Sequence, residues 1–175
     1  DRYMGRPSRT GMPRKHYPED YEVLADLGKA IDMKIMCPIC LAEWDKDNIL
    51  RGKPGFTYEP NTWDRASIID YKIAEKSFEI AENSEYIEYA YHGNLHGNYA
   101  PDGSQITEME FFEYKNPGDT LLSTQSEEEI LYRLDVFNQI YNSWGFKKKI
   151  RTFCAPNGIP KHLTNEDLLP LASAL

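Results

Sequence analysis

The sequence predicts an α/β fold with a parallel sheet, on three observations. Helical and strand-like segments alternate along the chain, and repeated αβ units build parallel sheets with right-handed crossovers, open or closed into a barrel. The 175 residues, 41% of them apolar, suffice for one domain with its own core. No apolar run approaches the ~20 residues of a membrane span, and no signal peptide is visible. The formal charge of −8 opposes general nucleic-acid binding. The first residue is Asp rather than Met, and the last predicted helix is cut off at Leu175, so the expected single domain, 1–175, reads as incomplete at both ends.

Taken in order, Gly5-Arg6-Pro7, Gly11 and Pro13 break the first 17 residues into a loop. Arg2, Arg6, Arg9, Arg14, Lys15 and His16 make it basic, either solvated or facing an anionic substrate. Pro18-Glu19-Asp20 opens a helix, since proline suits the first turn and the acids complement the dipole. Val23, Leu24, Leu27 and Ile31 give that helix a buried stripe. The run 33–44 is nearly all apolar after Lys34, which predicts a central strand covered on both faces. A polar loop follows over 45–64. A helix over 66–81 places Ile69, Ile73 and Ile80 inward.

The alternating aromatic and β-branched run 86–91 predicts a strand. Residues 97–125 form a long connection with Glu110-Phe111-Phe112 at its middle, and connections of this length are often functional. Ser126-Glu127-Glu128-Glu129 is a capping box. It opens a helix with Ile130, Leu134, Phe137, Tyr141 and Trp144 on one face, stopped by Gly145. Residues 149–155 read as a strand, Pro156-Asn157-Gly158 as a turn, and Thr164 to Asp167 as the cap of a last helix.

The chemistry is expected at the turn after the strand 86–91. It carries His92 and His96, two of four histidines. Gly93 and Asn94 argue against a helix there. Two neutral imidazoles on one turn suit Zn, Co, Ni, Fe or Mn, with a carboxylate from elsewhere as third ligand; the plainer alternative is two solvated loop histidines. The segment 42–47, the His turn and the turn 156–158 all follow strands, where α/β folds bind ligands. Glu43, Asp45, Asp47 and Asp102 compete as the third ligand. Tyr91, Tyr99, Trp44 and Trp63 are candidates to stack on sugar rings, with core packing as the alternative. His162 is an available proton donor or simply an exposed residue. Cys37 and Cys40, three apart on a strand, face opposite sides. With only Cys154 remaining, buried packing is favoured over a zinc knuckle or a redox pair.

His92-Gly93-Asn94-Leu95-His96 after one strand, Phe153-Cys154-Ala155-Pro156-Asn157-Gly158 at the end of another, and the helix-then-strand run 20–41 resemble the polysaccharide deacetylase (NodB-homology) superfamily. Members have a distorted seven-stranded (β/α) barrel and a metal held by one Asp and two His. The resemblance implies a partial or distorted (β/α) barrel of the NodB type, with parallel strands alternating with helices. It implies a divalent metal, Zn first, on Asp1, His92 and His96. It also implies hydrolysis of N- or O-acetyl groups from a carbohydrate, in the cell envelope or outside the cell. Backbone N–H groups near Pro156 to Gly158 would then stabilise an oxyanion, and Asn157 would face the substrate. Cys154 and Asn157 stand where the family has Arg and Tyr, and Arg151 sits three residues early. The base-supplying partner of Asp1 and the late Leu-x-His fall outside this numbering. A catalytically impaired glycan-binding barrel is the alternative expectation.

Overall fold

A computed structural model describes residues 16–175. Asp1 and the basic segment through Lys15 lie outside the described residues. The chain divides into two compact units, one formed by residues 16–35 with Asp70–Ile87, the other by Met36–Ile69 with Glu88–Leu175.

In the first unit, helices α1 (Pro18–Ile31) and α2 (Tyr71–Asn83) pack together. The Tyr17 N–H donates to Asp20 Oδ2 at 2.9 Å, closing the first turn of α1. The expected buried stripe of α1 is corrected: Val23, Leu27 and Ile31 are 65%, 49% and 51% exposed, and Gly28 is the buried residue. The reason is local. A Cβ on Gly28 would lie 2.6 Å from Tyr86 Cβ and 2.9 Å from the Met33 carbonyl, so the helix closes on its glycine face. Helix α2 starts at Tyr71, later than the sequence suggests, because Asp70 is its true cap and accepts from the Ile73 N–H at 3.2 Å.

All but the first residue of β1 and of β2 fall in the second unit, in a three-stranded sheet of order β1 (Ile35–Ile39), β2 (Ile87–Tyr91), β7 (Thr152–Phe153). Strand β2 pairs with β7 in parallel, Ala90 opposite Thr152 and Tyr91 opposite Phe153. The α/β class with a parallel sheet is therefore observed, and no closed barrel forms among the described residues. Strand β1 is not the expected central strand. Among the described residues it lies at the sheet edge; it alternates between half-buried and exposed and ends at Ile39 before a 3-10 turn over Ala42–Trp44. Pro38 explains this, because a residue without an N–H cannot serve a central ladder. The central place falls to β2, whose Ile87, Tyr89, Ala90 and Tyr91 are buried.

The connection 97–125 carries two small antiparallel ladders, β3 (Asn98–Tyr99) with β4 (Gln105–Thr107) and β5 (Phe112–Glu113) with β6 (Ser123–Thr124). Helix α3 (Glu127–Ser143) has the serine half of the expected box, Ser126 Oγ accepting from the Glu129 N–H at 3.2 Å, while the Glu129 carboxylate pairs with Arg133. Its buried face is Ile130, Arg133, Val136, Phe137, Ile140 and Tyr141, while Leu134 and Trp144 are only half-buried. Tyr91 packs edge-on against Phe137 and Phe111, ring centroids 4.7 and 5.6 Å away, and so joins sheet to helix. Helix α4 (Leu169–Ala174) closes the chain.

Candidate functional site

The carboxyl ends of the three parallel strands finish together. The His92 N–H donates to the Ile39 carbonyl at 3.2 Å, and the Cys154 N–H to the Tyr91 carbonyl at 3.0 Å. Beyond the strands the loops stay joined. Cys40 Sγ donates to the His92 carbonyl at 3.0 Å, and the Ala42 N–H to the Asn94 carbonyl at 2.9 Å. The loops after β1, β2 and β7 thus share one mouth, as the sequence suggests.

His92 and His96 meet there. Their ring centroids are 5.0 Å apart and the rings are inclined at 68°. Two imidazoles on one tetrahedral ion, with metal–nitrogen bonds of about 2.0–2.1 Å, have centroids roughly 5 Å apart. His92 Nδ1 donates to the Cys154 carbonyl at 2.6 Å. That bond fixes the tautomer with a bare Nε2, the arrangement metal-ligating histidines use. His96 is held at φ 67°, in the left-handed region, where histidine is among the few tolerated side chains. Burial, and then the neighbouring His92, push the His96 pKa below the usual histidine value, partly opposed by Glu110 and Glu108. Both effects favour the neutral, ligating form.

The turn between the rings is organised by a carboxylate the sequence reading did not single out. Glu110 is fully buried. It accepts from the Asn94 N–H at 2.7 and 2.9 Å, the Leu95 N–H at 3.1 Å and Asn94 Nδ2 at 3.0 Å. Arg133 Nη1 stands 3.6 Å away, itself 2% exposed at the side chain. Gly93 has φ 83°, and a Cβ there would lie 2.3 Å from Glu110 Oε2. The available signal was Arg133, a cation on the apolar face of α3, which requires a buried anion.

Other expected site residues fall into place as follows. Asp1 lies outside the described residues. Asn157 is exposed at φ 54°, and its Nδ2 donates to Glu108 Oε2 at 2.9 Å. Pro156 is buried and has no N–H to offer, and the Gly158 N–H is engaged by the Ala155 carbonyl at 3.0 Å. Tyr91 and Tyr99 are buried, as is Trp63, so none presents a face to a sugar; their rings belong to the core. Trp44 is half-buried, and its carbonyl accepts from Trp144 Nε1 at 2.6 Å. His162 Nε2 donates to the Leu122 carbonyl at 2.7 Å.

The competing carboxylates are engaged elsewhere or stand exposed. Glu43 is ion-paired to Arg65 at 2.8 Å, and burial raises its pKa. Asp45 is fully buried and accepts from the Ile49 and Leu50 N–H groups, both at 2.8 Å, and from Trp63 Nε1 at 3.0 Å. Asp47 is exposed, and Asp102 is held by the Ser104 N–H at 2.9 Å. Cys37 lies in β1 and Cys40 beyond its end; no disulfide joins the cysteines. Burial pushes both thiols up, which disfavours the thiolate a redox pair requires. Among the described residues no group of three His, Cys, Asp or Glu side chains is placed to hold a metal.

No family model, curated protein or solved structure matches this chain. No helix among the described residues is long and apolar enough to cross a membrane.

Proposed function

We propose that this chain is a metal-dependent deacetylase of the NodB type, hydrolysing an N- or O-acetyl group on a carbohydrate. Its parallel sheet would form part of a distorted (β/α) barrel. One observation carries the reading: two half-buried imidazoles at the mouth of a parallel sheet, 5.0 Å apart, with His92 Nδ1 locked on a carbonyl. Two of the three donors implied by the family resemblance thus fit a divalent ion by chemistry and spacing. The third, Asp1, lies outside the described residues.

A divalent ion, Zn or else Co, Ni, Mn or Fe, supplies Lewis acidity for the acyl carbonyl and lowers the pKa of a water toward ~7. The chain's own residues do the rest. The Cys154 carbonyl holds His92 in its ligating tautomer. Glu108 is exposed, is felt by His96 and is held by Asn157, and we assign it the role of proton acceptor.

A second reading, a glycan-binding relative without turnover, is favoured by Cys154 and Asn157 standing where the resembled motif has Arg and Tyr. Acetate release from N-acetylated and O-acetylated oligosaccharides separates the two. The enzyme reading expects release that is abolished by chelation and by His92→Ala. Saccharide binding with no release from either substrate, in protein that holds its ion, would leave the second reading.

A further inference from the structure

We propose that Glu110 is a positioning residue: from beneath the turn it sets the spacing of His92 and His96 and the alignment of His92 with the Cys154 carbonyl that selects its tautomer, and thereby their affinity for a divalent cation. The cation part of this inference rests on the metal-site reading above; the part concerning the imidazoles does not.

The carboxylate touches neither ring. It takes the backbone N–H of Asn94 and of Leu95 and the side-chain amide of Asn94, which are central residues of the His-x-x-x-His turn. Gly93 precedes them because nothing larger fits: the position is left-handed, and an added Cβ would sit against the carboxylate. The glycine and the asparagine between the histidines are therefore both explained by Glu110. The carboxylate is fixed in turn from behind. Arg133 stands 3.6 Å from it and donates through Nη2 to Asn98 Oδ1 at 3.1 Å, and its Nε lies 3.1 Å from Glu129. Asn94 Nδ2 also donates to the Arg133 carbonyl at 3.0 Å, so the turn is tied to α3 through both side chain and main chain.

Fully buried and surrounded by donors, Glu110 cannot reach an ion without releasing the turn it holds. Partners behind metal ligands commonly control affinity 10–100-fold, and here that control would pass through the backbone of the turn.

The test compares E110Q with D45N in the full chain. Both carboxylates are completely buried and gather two backbone N–H groups, but only Glu110 underlies the histidines. Imidazole 1H–15N correlation spectra of metal-free protein report the His92 tautomer, and competition with a chromophoric chelator reports Zn2+ affinity. The wild type and D45N are expected to show one Nδ1–H tautomer for His92. E110Q is expected to show a tautomer mixture and an affinity lower by about 10–100-fold.

Glu110→Asp keeps the charge opposite Arg133 while withdrawing it from the turn. It is expected to shift both readouts in the same direction, and it replaces E110Q where that variant does not fold. A folded E110Q or Glu110→Asp with the wild-type His92 tautomer and affinity would overturn the proposal, as would a D45N that loses both. A wild type that binds no Zn2+ would remove the metal-site reading and the affinity claim, while the tautomer spectra would still decide whether Glu110 positions the rings.

Discussion

Two buried carboxylates organise two loops of the same unit, with different outcomes. Asp45, after β1, gathers the Ile49 and Leu50 N–H groups and the Trp63 indole. Glu110, in the connection between β4 and β5, gathers the Asn94 and Leu95 N–H groups from the turn after β2. Locally the physics is the same, a charged acceptor satisfying backbone donors that would otherwise be orphaned. The first loop turns its partners inward, with Trp63 and Leu50 fully buried. The second leaves two imidazoles half-exposed at the sheet's mouth. Each loop has a buried arginine, but only Arg133 faces the organising carboxylate itself, 3.6 Å from Glu110, whereas Arg65 pairs with Glu43 at 2.8 Å. A loop that merely closes needs satisfied N–H groups; a loop that holds two side chains at a set spacing also has its register fixed against a rigid element, here α3.

The largest expected effect comes from removing charge. E110Q removes the buried anion and leaves Arg133 only the more exposed Glu129, 3.1 Å away, as counter-ion; it should cost up to about 3–5 kcal/mol. D45N leaves donors imperfectly paired but orphans no ion, and should cost about 1–3 kcal/mol. Urea denaturation of both variants measures the difference, and equal losses would show that the arginine adds nothing to the second loop.

Next come the glycines. Gly52 and Gly93 are both left-handed, at φ 76° and 83°, but a Cβ on Gly52 meets nothing within 4 Å. Gly52→Ala should cost the backbone term alone, about 1–2 kcal/mol. Gly93→Ala adds a clash with Glu110, for a total of about 2–5 kcal/mol. Matching melting temperatures for the two variants would argue that the turn yields easily and that Glu110 does not grip it.

The smallest effect is one of pH. The unfolded chain protonates His96 near the ordinary ~6.5, whereas burial and His92 hold the folded value lower. Between those values the unfolded state binds the extra proton, so stability rises with pH. The contribution is intact above about 6.5 and is lost as pH falls toward the folded value. His96→Gln should flatten this slope in denaturation curves collected across that interval. The first loop has no histidine, and its Glu43, raised by burial, gives a slope of the opposite sign; an unchanged profile in the variant would place the titration elsewhere.

Much of this was legible in the sequence, for identifiable reasons. The α/β alternation, the strand ending at Tyr91, the Ser126 cap and the His turn are local patterns, and local hydrogen bonding decides them. The errors arose where long-range packing decides. The apolar run 33–44 reads as a central strand, yet Pro38 belongs to an edge. Val23, Leu27 and Ile31 read as a core stripe, yet α1 closes on Gly28. For Tyr91 and Tyr99 the sequence leaves sugar stacking and core packing open, and both side chains are buried, Tyr91 against Phe137 and Tyr99 beside Tyr58. Glu110 lies 14 residues beyond His96 in a connection with no periodicity. Its role follows only from pairing it with Arg133, which the sequence marks by a charge on an apolar helix face but does not match to a partner.

The central claim, that His92 and His96 hold one cation between them, is tested most directly by titrating the metal-free full chain with Zn2+ against a competing chelator. The account predicts one ion per chain for the wild type, and an affinity reduced by about 100-fold or more in His92→Ala and in His96→Ala, each of which removes a ligand rather than its support. Zn2+ binding that survives both substitutions unchanged, or no binding by the wild type, would contradict it.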